Sequence, residues 1–445
     1  MLAATLRVAV ERGDWAPLRD RLAPDAVLHT SNEEGRRKLA GADVILAHLA
    51  KPGPGEVRAW EAQEWPSGVA LTFEWAGTAT TDRRRWYVRT ASDGRIAELW
   101  SAAARPSGEP GAAPAPPPKE LLSRLATTRL APVSHSGNSG AALLRATRDD
   151  GTAFILKRVT PGADWLARAT GDDGRTARLH AARAFDFMPT AIEHAIVDVE
   201  RSDDAAWVAM RDVHEQLLSD DARLTREQSR RVLAAAAALH AAFHARVPDG
   251  AAQLRDRLAM SSPAIADAER PSSDLLPKQF EYGWEAFAEL VPDDVAGPVL
   301  AVVADPDPLA AALVAAHGSP TLIHGDLRDD NLGFDNERVV LIDWDLATAG
   351  TPTVEFAWYL AQDAWRIDAT HDEIEADHRA AHGAGLSNEE VELGMLSGLV
   401  QYGWLLAHSA RVHPDRAETT WGRAELAWWV PRVRRALELL GGPPA

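Results

Sequence analysis

The sequence predicts an α+β chain: a compact α+β unit, a proline-rich linker, then a β-rich lobe followed by a larger α-rich lobe. Three observations carry this. Residues 105–118 read RPSGEPGAAPAPPP, a stretch that packs no core and favours extended polyproline geometry. The first 104 residues mix amphipathic helical stretches with long strand-like runs. From Lys119, strand and turn signals dominate to residue 213, and helical periodicity dominates residues 214–445. A chain of 445 residues exceeds one ordinary core, so a division of this kind is expected.

The elements of the first unit follow from spacing and breakers. Leu2, Leu6 and Val10 form an apolar stripe that ends at Gly13–Asp14. A second amphipathic stretch runs from Trp15 to Leu22 and stops near Pro24. The short run AVLHT reads as a strand. A third helix, Ala42 to Leu49, ends at Lys51–Pro52–Gly53–Pro54. Three strand-like runs follow: EVRAWEAQEW, GVALTFEWAGT, and RRRWYVRT turning at Asp93–Gly94 into RIAELWSA. Trp60, Phe73, Trp75, Trp86, Tyr87 and Trp100 are expected to line a curved sheet.

This order, with ERGDWAPLRDRLAPDAVLHT leading into GADVILAHL, resembles the SnoaL-like members of the cone-shaped ketosteroid-isomerase-like superfamily. The resemblance covers about the first hundred residues. It implies a cone that holds a small apolar ligand, or a sheet that makes a homodimer. His29, Asp25 and Glu74 are the candidate polar groups, but nothing gives them a shared geometry, so dimerisation or ligand sensing is favoured over a second active site. A third reading, an isomerase or cyclase fused to the second half, would need an acid–base pair in an apolar cavity.

Composition narrows the partners. Hydrophobic residues make up 46% and charged residues 25%, an ordinary globular profile. The net charge of −18 argues against nucleic acid or an anionic membrane, which need a basic face, and suits a cationic ligand. There is no cysteine, which excludes disulfides and thiol catalysis and suits the cytosol. The N-terminus, MLAATLRVAVERGDW, lacks the pattern of a secretory leader, and no window approaches a membrane span. A cytoplasmic location is therefore expected.

In the β-rich lobe, RLAPVSHSGNSGAALLRATRDDGTAFILKRV reads as three antiparallel strands. Their turns are Ser136–Gly137–Asn138–Ser139–Gly140 and Asp149–Asp150–Gly151. Gly137 and Gly140 would let backbone N–H groups approach phosphate oxygens closely. Lysine occurs only at Lys38, Lys51, Lys119, Lys157 and Lys278, so Lys157, on the apolar strand AFILKRV, stands out. AAWVAMRDV, residues 205–213, reads as a strand running into a polar turn.

The richest segment is TLIHGDLRDDNLGFDNERVVLIDWDLA. An apolar strand delivers a polar loop at His324–Gly325–Asp326, and Asn331 follows five residues after Asp326. A hairpin with its turn at Asp335–Asn336–Glu337–Arg338 returns the chain to Asp343. Two carboxylates and an amide thus meet at the ends of short strands. Phosphoryl transfer uses these types: Asp326 to accept or orient a hydroxyl proton, and Asn331 and Asp343 as hard oxygen ligands for Mg²⁺.

The spacing H-G-D-x-x-x-x-N, the apolar run into I-D-W, and the continuation DWDLATAGTPTVEFAWYL resemble the aminoglycoside phosphotransferase and choline kinase family, across residues of about 120–440. Glu355 stands where an aspartate is common. H-R-D, D-F-G and A-P-E, the protein-kinase forms, do not occur in place, so a protein substrate is disfavoured. The resemblance implies a bilobal protein-kinase-like fold, with a small lobe at 119–213 and a large lobe at 214–445. It implies ATP (or GTP) with Mg²⁺, and transfer to a hydroxyl of a small molecule. Lys157 would hold the α- and β-phosphates, and Met210 to Asp212 would be the hinge that meets adenine. It also exposes a gap. The lysine usually pairs with a glutamate from the next helix, here DGRTARLHAARAF, yet Thr176 stands at that place. The rival reading is therefore a nucleotide-binding pseudoenzyme or ligand sensor.

The remaining features are expected to be structural. Asp329, Asp330 and Asp345 read as loop residues. His240 and His244 share one helical face but lack a third ligand or a motif glutamate. The acidic run around Asp363, Asp368, Asp372, Glu373 and Glu375 could draw an amine, though such runs are mostly solvated faces. The aromatic C-terminal stretch TTWGRAELAWWVPRVRRALELL is expected to pack a core.

Overall fold

The computed structural model describes residues 2–32, 35–50, 56–65, 68–76, 81–91, 93–103, 116–133, 142–202, 205–219, 222–270, 276–412 and 416–441. The chain divides into two compact units. One gathers Met1–Glu109, Ser262–Val291 and Gly403–Trp428; the other gathers Pro110–Ser261, Pro292–Tyr402 and Trp429–Ala445.

In the first unit, α1 (Leu2–Arg12) and a 3-10 turn (Ala16–Arg21) precede β1 (Leu22–Asn32) and β2 (Gly35–Ala40). Next come α2 (Ala42–Leu49), β3 (Glu56–Trp65), β4 (Gly68–Ala76), β5 (Thr81–Thr90) and β6 (Ile96–Ala103). The six strands form one sheet in the order β2-β1-β6-β5-β4-β3, with β1 parallel to β6. Leu6 and Val10, one helical turn apart, bury one side of α1 against Leu28, Ile45, Val69, Leu71, Trp86 and Val88. Three local expectations need correction. The stretch from Trp15 is a 3-10 turn because Pro17 sits at its start. The AVLHT strand is much longer. It also pairs with β2, whose polar GRRKLA pattern gave no strand signal. Trp86 is buried, 5.7 Å ring to ring from Trp15, and Asp25 is exposed. The side chains of Trp60, Phe73, Trp75, Tyr87, Trp100, His29 and Glu74 lie outside the described residues, as does most of the linker.

The second unit opens with α3 (Lys119–Arg124), β7 (Arg129–Pro132), β8 (Ala142–Thr147) and β9 (Ala153–Val159). Two short helices follow: α4 (Trp165–Thr170), which was not foreseen, and α5 (Arg175–Ala181), which forms the middle of the helix expected over DGRTARLHAARAF. Then come β10 (Ile192–Glu193), β11 (Ile196–Arg201) and β12 (Ala206–Arg211). The strands β11-β12-β9-β8-β7 make a five-stranded antiparallel sheet. Strand alternation decides the orientation of β9. Phe154 and Leu156 bury one face against Leu121, Leu144 and Trp207, which puts Lys157 on the other face.

After β13 (Leu224–Thr225), helix α6 (Arg226–Phe243) starts with a capping box between Thr225 and Gln228. Next are β14 (Ala252–Gln253) and α7 (Leu254–Ala259), then α8 (Pro263–Ala268) and α9 (Leu276–Leu290), which fall within the first unit, then α10 (Asp293–Ala304) and α11 (Asp307–His317). The fully buried strand β15 (Thr321–Ile323) leads into the polar loop. The hairpin β16 (Leu332–Asp335) and β17 (Arg338–Leu341) follows, and β10 adds parallel to β17. The chain continues with β18 (Thr348–Gly350), α12 (Pro352–Asp363), β19 (Ile367–Asp368), α13 (His371–His382), α14 (Asn388–Val412) and α15 (Arg416–Leu439). Trp429 and Val433 of α15 are fully buried, as the aromatic spacing implied. Among the described residues, no single helix is long and apolar enough to cross a membrane.

Candidate active site

The loop after β15 is fixed from several sides. His324 is fully buried. Its Nε2–H donates to the Ile342 carbonyl at 3.0 Å, and its Nδ1 accepts the Asp326 N–H at 3.3 Å, which assigns the neutral Nε2–H tautomer. The ring stands edge-on to buried Trp344 at 4.5 Å. Gly325 has φ +81°, and a Cβ there would lie 2.0 Å from the Leu346 carbonyl oxygen, so only glycine fits.

Both sides of the Gly325 residue are held. Its N–H donates to Glu355 Oε1 at 2.8 Å, and its carbonyl accepts from Arg257 Nε at 2.9 Å. Glu355 is buried on α12, with its second oxygen 2.8 Å from His240 Nε2 of α6. Burial by itself would raise the Glu355 carboxyl; His240 and the Gly325 N–H outweigh it and hold the group below its ordinary value. Burial pulls the Arg257 guanidinium down to about 10, against the charges of Asp326 and Glu355. Arg257 also covers the Trp358 ring at 4.2 Å.

Asp326 thereby has a set direction. Trp358 Nε1–H donates to its Oδ1 at 3.1 Å, and Asn331 Nδ2 donates to its Oδ2 at 2.8 Å and to its carbonyl at 3.0 Å. Arg328 Nε lies 3.3 Å from Oδ1. Lone pairs remain on the carboxylate for an incoming hydroxyl. The Asn331 amide spends its donors on Asp326, which leaves Oδ1 as its acceptor end. The Asn331 carbonyl accepts the Ile342 N–H at 3.1 Å, which sets Asn331 beside the strand end that carries Asp343.

Asp343 adopts φ +63°, and 37% of its side chain remains exposed. Lys157 Nζ lies 2.8 Å from Asp343 Oδ1 and 2.8 Å from Asp345 Oδ2. Burial by itself disfavours the Lys157 ammonium; the two carboxylates outweigh it and push its pKa above the usual lysine value. Burial likewise opposes the Asp343 anion, yet Lys157 holds this carboxyl below its usual range. Asp345 is tied down in turn. Thr176 Oγ1 donates to Asp345 Oδ1 at 2.6 Å, and Arg175 Nη1 donates to the Asp345 carbonyl.

The structure thus brings together Lys157, Asp326, Asn331 and Asp343, and adds residues that spacing did not assign. Asp345, expected to be a loop residue, carries the second carboxylate on Lys157. His240 is more than a packing residue, because it partners Glu355. Glu355, Arg257 and Trp358 hold the loop; the sequence marked Glu355 alone, through the family's common aspartate at that place, although Glu355 and Trp358 lie three residues apart on one helix. Gly137 and Gly140 lie outside the described residues. Met210 pairs with Ile155 and packs against Ala195, Val213 and Val340. The Asp212 carboxylate is engaged by Arg145 and by His214 at 2.8 Å, and its N–H meets the Ala153 carbonyl at 3.3 Å. The Asp212 N–H is thus already used within the sheet. The acidic run is largely neutralised: Glu373 and Asp377 meet Arg226, Asp372 meets Arg432, Glu375 meets Arg379, and Asp363 is buried.

Asn331 and Asp343 fit a hard divalent cation by donor type, since magnesium takes few protein oxygens and keeps waters. Among the described residues, no group of three or more His, Asp or Glu side chains gathers to hold a metal.

The model of the phosphotransferase enzyme family matches residues 130–391, more than half of the chain. Solved structures similar to this chain include an aminoglycoside phosphotransferase from Alicyclobacillus acidocaldarius. It is 18% identical, with 75% of this chain and 98% of that one covered and a TM-score of 0.39. An aminoglycoside phosphotransferase from Streptomyces rimosus is 17% identical, covering 63% and 96%, with a TM-score of 0.38. A choline kinase from Streptococcus pneumoniae is 13% identical, covering 73% and 97%, with a TM-score of 0.36. No curated protein matches the chain.

Proposed function

Because the chain belongs to the phosphotransferase enzyme family, we propose that it moves the γ-phosphate of ATP (or GTP) to a hydroxyl of a small molecule. The observation that carries this is the joined loop: Asp326 oriented by Asn331 at 2.8 Å, with Lys157 on Asp343 at 2.8 Å. Asp326 accepts the hydroxyl proton as that oxygen bonds the γ-phosphorus. The bond from phosphorus to the β–γ bridging oxygen breaks, and its electron pair leaves on the diphosphate. Asn331 and Asp343 would hold Mg²⁺, which would supply positive charge against the phosphates. Lys157, with the Gly137–Gly140 turn, holds the remaining phosphate charge, and Met210 to Asp212 face the base.

In this reading residues 119–213 and 214–445 are the two lobes of a kinase-like body. Residues 1–104 are a SnoaL-like unit that senses a ligand or forms a homodimer, joined by the 105–118 linker. The second reading, a nucleotide-binding sensor without turnover, rests on Thr176. The Lys157–Asp345 pair at 2.8 Å supplies the carboxylate whose absence motivated it.

The test is calorimetry with Mg·ATP and Mg·GTP, then labelled-phosphate transfer across aminoglycoside, macrolide and amino-alcohol acceptors. On an acceptor that turns over, Asp326→Ala should lose roughly 10²–10⁴-fold in rate. An unchanged rate removes Asp326 from the chemistry, and absence of nucleotide binding removes both readings.

A further inference from the structure

We infer that Asp345, aimed by the Thr176 hydroxyl, is the positioning carboxylate for Lys157 and replaces the acidic residue that helix α5 lacks; this rests on the phosphotransferase reading above. The geometry is specific. Asp345 uses one oxygen on Lys157 at 2.8 Å and the other on Thr176 at 2.6 Å. With both oxygens engaged by the protein, it differs from Asp343, whose side chain remains 37% exposed. Thr176 is buried and sits in the first turn of α5. Arg175, also buried, fixes the Asp345 backbone and donates to the Thr170 carbonyl at 2.9 Å.

The two carboxylates on Lys157 then have separate tasks. The Asp343 carboxylate, if it also held a divalent cation, would bind the nearby ammonium more weakly. Asp345 remains, so Lys157 keeps its place on β9 with its donors turned to the phosphates. An acid at position 176 would set a second negative charge against Asp345. Thr176 and Asp345 are therefore matched choices: a donor on the helix with an acid on the loop, in place of an acid on the helix.

The experiment moves the carboxylate. Asp345→Asn keeps the shape and the backbone carbonyl that Arg175 holds. It should weaken Mg·ATP binding by calorimetry about tenfold, the worth of one charge-assisted bond. Thr176→Val should weaken it by roughly threefold, a neutral donor being worth less. Asp345→Asn combined with Thr176→Glu should recover most of the loss, which a purely structural Asp345 would not allow. A nucleotide-free arm uses amine acetylation of Lys157 by sulfosuccinimidyl acetate, read by peptide mass spectrometry. Labelling should rise at least ~3-fold in Asp345→Asn and fall back in the double variant. Failure of the wild-type chain to bind Mg·ATP would sink the phosphotransferase reading, and the labelling arm would still decide the pairing. The inference is overturned if Asp345→Asn, with an unchanged far-UV spectrum, binds and labels like wild type. It is equally overturned if the double variant is no better than Asp345→Asn.

Discussion

Glu355→Ala is the most demanding test of how the loop is held. The carboxylate is buried, accepts the Gly325 N–H at 2.8 Å and pairs with His240 Nε2 at 2.8 Å. Truncation leaves a buried N–H without its acceptor and His240 Nε2 without its carboxylate partner. Breaking a buried pair in this way costs about 3–5 kcal/mol, far more than the lost contact area of one side chain. For a unit of this size, 3 kcal/mol lowers the melting midpoint by roughly 6–12 °C. Glu355→Gln keeps an acceptor for Gly325 and loses only the charge, so it should cost roughly half as much. The assay is a circular-dichroism melt of the full chain at neutral pH, beside phosphoryl transfer. The loop also aims Asp326, so Glu355→Ala should lose rate even below its new midpoint. Midpoints for Ala and wild type within about 2 °C would refute the reasoning, because no buried pair could then exist there.

Two further outcomes follow from the same region. Burial holds His378, stacked on Phe356 at 4.1 Å, well below the usual histidine range, and holds His382 down to about 4. Both are neutral when folded and protonate when unfolded near pH 6.5, so the unfolded chain binds more protons between pH 6.5 and 4. Stability is present above this window and is lost as pH falls through it; the His382 share is about 3 kcal/mol at most. Melts at pH 7.5 and 5 should differ more for wild type than for His382→Gln, and equal differences would sink the assignment. Gly325→Ala and Gly383→Ala make a matched pair. Both sites have positive φ, but only at Gly325 would a Cβ strike backbone, while Gly383 has open space. Gly383→Ala should cost about 1 kcal/mol and Gly325→Ala several times that, with loss of transfer. Similar melts for the two variants would disprove the close approach.

Much of the fold was legible where the pattern is local. The β8–β9 pairing, the β16–β17 hairpin and the stripe on α1 follow from alternation, turn residues and helical spacing. Strand β2 was not legible, because GRRKLA is polar and owes its strand form to β1 alongside it. The 3-10 turn at Ala16–Arg21 was misread because its apolar spacing imitates an α-helix while Pro17 tightens it. The acidic run near α13 looked like an open face, and its arginine partners come from α6, α15 and α13 itself.

By itself the sequence determined the loop from His324 to Asp343. Asp326, Asn331 and Asp343 lie within one strand–loop–hairpin, and short-range backbone geometry fixes where such residues meet. It also marked Lys157, through the rarity of lysine and the apolar strand around it. Only the tertiary structure decided what Lys157 meets. Asp343 is 186 residues away from it in sequence, and the Thr176–Asp345 bond spans 169. No spacing rule reaches across such intervals. Folding brings α5 against the turn after Asp343, and burial then forces each buried charge and hydroxyl to find a partner there. That requirement gave Asp345 its place and showed that Thr176 holds the carboxylate it had seemed to replace.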